Sequence, residues 1–363
     1  MTTAETTSVS VNAPAATAAS SEEGVTHVNG PAVLLWRMLA GAMVVVVLLF
    51  LLNNYLIFWR GWPGFLTLFA HHGWLSFVPL QSPLSGEEVT LSWLQFLSYL
   101  GSLAVVAMFV LVTRKRSLRA DASLLSGLAA YIVRAAFWAV VLVGLADMLI
   151  SFLRVEGLLQ QLVGAELTTE LGRSRYRGAY VHYPLIALSL VIAIFVRTLG
   201  FIWLALLVVV AEFQIVISRF IFSYEQAFMG DLVRFWYAAL FLFASAYSLI
   251  EEGHVRVDVF YTHFTKRGKA WTNALGSVLL GIPLCWVILT QGMWGKGSSI
   301  NSPLLSFEIS QSGFGMYVKY LMAGFLVVFA VSMIIQFSSY FLSSVADLRG
   351  EPDPNDTTGD VTL

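Results

Sequence analysis

Runs of about twenty apolar residues recur along this chain, and they limit its fold more than any motif does. A bilayer core of about 30 Å is crossed by about 20 helical residues. In hydrocarbon the backbone must satisfy its own hydrogen bonds, so each run is expected as a helix. Eight can be marked, at residues 31–58, 91–112, 128–153, 181–196, 199–218, 232–250, 271–291 and 314–343. The expected fold class is therefore an all-α integral membrane protein whose main surroundings are the lipid bilayer. The chain is 58% hydrophobic and only 12% charged, whereas about a quarter of a soluble domain is charged.

The count of eight depends on one segment. Val181 to Phe220 runs for about 40 residues, which as a single helix is about 60 Å, twice the bilayer core. It is split at 197–200. The alternative is seven spans, with 181–196 as an interfacial helix. Lys and Arg favour cytoplasmic loops. The loop 251–270 carries Arg256, Lys266, Arg267 and Lys269, and 114–119 reads RKRSLR. Eight spans place both loops and both termini on the cytoplasmic side. They also place Arg154, Arg173, Arg175 and Arg177 outside, against the rule. Seven spans reverse that conflict without removing it. Eight is preferred because the apolar run after Pro184 is costly to leave half in water.

Residues 1–30 lack the basic start of a signal peptide and read as a disordered tail, as do residues 346–363. Between them the break near residue 197 divides a region 31–197, of about four helices, from a region 198–345, of four more.

Most chemistry is excluded by what is missing from the sequence. Net charge is -1, so no nucleic-acid footprint appears, and the single cysteine, Cys285, cannot form an intrachain disulfide or a cysteine zinc site. GKGSS at 295–299 has Thr290 where a phosphate loop needs glycine. His71 and His72 are adjacent and lack further ligands nearby. No catalytic set, metal site or cofactor site is read.

Arg134, Asp147 and Glu212 lie inside apolar runs, where an ionisable group must be paired or wet. Arg134 and Asp147 are thirteen residues apart, about 20 Å along a helix, and cannot pair with each other. The three either mark helix contacts or line an ion path in a self-sufficient transporter or channel. Transporter cores tend to carry paired Gly/Pro-broken helices, and Pro283 reads as a single break. Small residues at 238–246, and Gly276, Ser277 and Gly281, mark expected helix contacts.

One polar stretch stands apart. In EEGHVRVDVFY, 251–261, His254, Arg256 and Asp258 alternate with valines, so an extended chain would put the three on one side. Other features stand around it in a fixed order. SRFIF, containing Arg219, ends one span. FMGDLVRFWYAALF, containing Asp231, opens the next, which closes with ASAYSL. Gly253-His254-Val255-Arg256-Val257-Asp258 follows, then TKRGKAW, then FGMYVKYLMAGF with Lys319. Over 198–345 this order resembles the small membrane subunit of tripartite ATP-independent periplasmic (TRAP) transporters.

The resemblance implies a non-catalytic scaffold subunit in a bacterial inner membrane. Its partners would be a large membrane subunit holding the substrate and ion sites, and a periplasmic substrate-binding protein. The implied transport is ion-coupled symport, usually with sodium, commonly of an organic acid. Arg219, Asp231, Gly253, His254, Arg256, Asp258 and Lys319 are the implied interface or structural residues. The chain departs from the pattern at Phe220, where the family commonly has tyrosine, and in the extra residues 1–197.

Overall fold

The structure is a computed structural model, and it describes residues 30–74, 83–197, 201–250, 261–310 and 314–352. Among the described residues, eight helices are long and apolar enough to cross a membrane: α1 (Pro31–Arg60), α2 (Gly86–Val112), α3 (Leu118–Val155), α4 (Ser174–Phe195), α5 (Phe201–Phe222), α6 (Ala227–Ile250), α7 (Lys266–Met293) and α8 (Lys319–Arg349). No strand occurs among the described residues. The all-α, eight-span expectation holds, and the segment after Pro184 is a full-length helix.

Several helices extend beyond their apolar runs, because a polar turn at a helix end costs nothing where it meets water. α3 begins ten residues earlier than its run, where Ser117 caps it by accepting from the Ala120 N–H. α2 opens on a capping box between Ser85 and Glu88. α8 starts at Lys319 rather than 314 and runs through Arg349. Residues 346–349, expected in the C-terminal tail, thus complete that helix, and Ala346 is fully buried.

α3 and α8 are the packing centre. They lie against each other, and α6 packs on both. Around this trio α4 covers α3, α7 covers α8, α5 packs on α6, and α2 packs on α1. One apolar core joins residues from both sequence regions, including Val133, Val140, Phe235, Phe325 and Ile334. Polar bonds cross the same boundary. The Trp236 indole donates to the Val140 carbonyl at 3.2 Å, Ser339 donates to the Ala122 carbonyl at 2.7 Å, and Asn54 donates to the Met293 carbonyl at 2.7 Å.

Side-chain contacts agree with eight alternating crossings. On the face holding Gly30 and Gly350, buried Arg37 near the start of α1 pairs with Asp121 of α3 and donates to Thr113, and Arg119 pairs with Asp347 at the end of α8. On the opposite face, segments that follow the odd-numbered spans meet one another: Tyr224 with Glu156, and Arg154 with Tyr317.

Pro283 is not the single break expected. α7 contains a π-turn at Ser277–Gly281, and α4 contains another at Gly178–His182, each ending two residues before a proline. Pro184 and Pro283 cannot donate to the carbonyl four residues back, and their rings crowd it. The chain bulges instead: Tyr183 and Ile282 bond five residues back, to Gly178 and Ser277.

Candidate functional site

The π-turn in α4 creates the most concentrated polar site in the described residues. In a regular α-helix, residues five apart point about 140° away from each other. The bulge turns Arg177 and His182 to the same side, toward Asp147 of α3. Arg177 Nη1 lies 3.0 Å and His182 Nε2 lies 3.1 Å from Asp147 Oδ1. The other carboxylate oxygen accepts the Tyr317 N–H at 2.6 Å. Asp147, Arg177 and His182 are all fully buried.

A second tier holds these groups in place. Arg177 Nε donates to the Leu171 carbonyl at 2.9 Å, Nη1 donates to Ser151 at 3.2 Å, and the guanidinium lies 4.0 Å from the Tyr317 ring centroid. His182 Nδ1 and the Tyr320 hydroxyl are 2.8 Å apart. Tyr317 donates its hydroxyl proton to the Gly172 carbonyl at 3.0 Å and accepts from Arg154 at 2.6 Å. Gly178 lets Phe307 lie directly on the turn, where any Cβ would meet its ring. The cluster therefore ties α3 and α4 to Phe307, Tyr317 and the start of α8.

Each of the four arginines that conflict with the charge rule has a local partner. Arg177 is inside the cluster, Arg154 is bonded to Tyr317, Arg173 pairs with Glu170, and Arg175 lies over the Phe307 ring. Sequence reasoning left Asp147 between an ion path and a helix contact, and the structure makes it a helix contact. The available signal was the arginine-rich 173–177 segment leading into a span.

Asp231 and Lys319, expected from the resemblance, come together. Both line a pocket of about 520 Å³ with Arg234, Ser310, Met316, Val318 and Met322. Asp231 is buried, and its Oδ2 accepts from Ser310 at 3.1 Å and from the Met316 N–H at 3.0 Å. Lys319 pairs with Glu308 across the same segment. Arg219 is exposed and stands 3.4 Å from Glu225. Gly253, His254, Arg256 and Asp258 lie outside the described residues.

The other intramembrane groups do not join Asp147. Arg134 has its Nε buried without a hydrogen-bond partner, and Glu212 is exposed on α5. Among the described residues no contact links the three. His71 and His72 are exposed at the end of a short helix, where His72 stacks on Trp74, and no group of three or more metal-binding side chains occurs among the described residues.

The fold and its polar clusters define a multi-pass helical membrane protein in which buried charges join helices to one another. Residues 205–345 match the family model for the DctQ component of tripartite ATP-independent periplasmic transporters. The C-terminal region is thus similar to the small membrane subunit of that transporter class, as its motif order implies, and the remaining helices precede it. No curated protein and no solved structure matches the chain.

Proposed function

We propose that this chain is the small permease subunit of a TRAP-type secondary transporter. It scaffolds a large membrane subunit during ion-coupled uptake, with sodium as the driving ion, of an organic acid delivered by a periplasmic binding protein. It lies in a bacterial inner membrane with both termini in the cytoplasm. The observation carrying this reading is the family match over residues 205–345.

The N-terminal region 31–197 widens the scaffold. Its helix α3 packs on α8 and α6 of the matched region, and Asp147, Arg177 and His182 hold Tyr317 and Tyr320 from outside that region. On this reading Arg219, Asp231, Gly253, His254, Arg256, Asp258 and Lys319 serve subunit contacts or local structure.

Reconstitution tests the proposal. In proteoliposomes, uptake requires this chain, the large subunit and the binding protein together. Uptake by this chain alone would overturn the reading.

A further inference from the structure

An acidic side chain stands exposed at the middle of α5. Glu212 is eleven residues after Phe201 and ten before Phe222, so each end of the helix is about 15 Å away. It is exposed, and among the described residues it makes no hydrogen bond and no ion pair. Ionisable groups at this depth normally face a bundle interior or a wet cavity and are paired. Among the described residues Glu212 faces neither.

The residues around it form one face. Val209, Glu212, Phe213, Val216 and Phe220 follow helical spacing. The four apolar members are between 48% and 79% exposed, while Leu204 and Ala211, on the opposite side of α5, are buried against the bundle. Lipid tails can cover the apolar members but offer no hydrogen-bond donor to a carboxylate. The glutamate side chain is too short to reach headgroups from mid-helix. The covering element must therefore bring a donor to that depth, and a basic side chain on a transmembrane helix does so with complementary charge.

We propose that the face of α5 carrying Val209, Glu212, Phe213 and Val216 packs on a transmembrane helix of the large membrane subunit, with a lysine or arginine of that helix paired to Glu212. This rests on the TRAP reading above and adds the contact face and the chemistry of its partner.

The test uses the full-length chain, tagged and purified from its native membranes. A photoreactive residue at Phe213 should cross-link to the large subunit, whereas one at exposed Val105 of α2 should not. Glu212→Leu should lower the co-purified large subunit at least tenfold, because it leaves the partner's cation buried and unpaired. The unfolding temperature of the isolated chain should not change. Glu212→Lys combined with an acidic replacement of the cross-linked partner's basic residue should restore the complex. Undiminished co-purification of Glu212→Leu would overturn the contact while leaving the TRAP reading intact. So would cross-links at Phe213 that reach only lipid or a second copy of this chain. Failure of the wild-type chain to bring down any large subunit would overturn both.

Discussion

Asp147 and Arg177 stand 3.0 Å apart with neither side chain exposed, joined across α3 and α4 at the point where the helix after the connecting segment bulges into a π-turn. Removing one member of a buried pair leaves an uncompensated charge and costs about 3–5 kcal/mol. Asp147→Ala should lower stability by that amount, measured as thermal unfolding in detergent or nanodiscs. The double variant Asp147→Ala/Arg177→Met should lose less than the sum of the two single changes. Additive losses would show that the pair is not energetically coupled.

Asp231 sets a separate anchor on the same face. Its Oδ2 accepts from both Ser310 and the Met316 backbone, so it holds the segment that leads into α8 against α6. Asp231→Ala should strand the buried Met316 N–H, at about 1–3 kcal/mol. Hydrogen exchange should quicken in residues 314–318 while α1 and α2 keep their protection. Unchanged exchange there would remove Asp231 from this role.

Much of this architecture was legible because hydrocarbon imposes a simple rule on the backbone. Apolar length alone located all eight spans. It could not show that α3 begins at Leu118 or that α8 ends at Arg349, since those turns carry Arg119, Asp121 and Asp347, which pair near the helix ends. Nor could it show what Asp147 meets. Arg177 and His182 share a face only because Pro184 forces a π-turn, and a regular helical wheel separates them. Asp231 and Lys319 came from motif order, and their shared pocket depends on where Ser310 and Met316 lie beside Asp231.

The glycines in α7 have opposite environments, which gives a prediction of opposite sign. A Cβ on Gly281 would stand 2.7 Å from the Phe337 ring of α8, whereas one on Gly276 meets nothing within 4 Å. Gly281→Ala should destabilise by about 1–3 kcal/mol through overpacking. Gly276→Ala should be stabilising by about 0.5–1 kcal/mol, because helical glycine carries an entropic cost. Paired unfolding curves check both. Equal effects would mean that Gly281 does not form the α7–α8 contact.

Tyr224 gives the structure a handle at alkaline pH. It lies between α5 and α6, outside the spans, and donates its hydroxyl proton to Glu156 at 2.6 Å. Burial, followed by that hydrogen bond and the Glu156 charge, pushes its pKa up to about 12. An unfolded tyrosine ionises near about 10. The folded protein therefore holds the proton more tightly than the unfolded chain. The associated stability is fully present below about pH 10 and is lost as pH rises toward about 12. Tyr224→Phe should lose less stability than the wild type across that window, because it has no phenol to ionise. Glu156→Gln should lower the pKa of Tyr224, so that the loss is smaller and is complete at a lower pH. Unfolding curves between about pH 9 and about pH 12 check both outcomes; identical slopes in wild type and Tyr224→Phe would show that the bond to Glu156 does not hold the phenol proton.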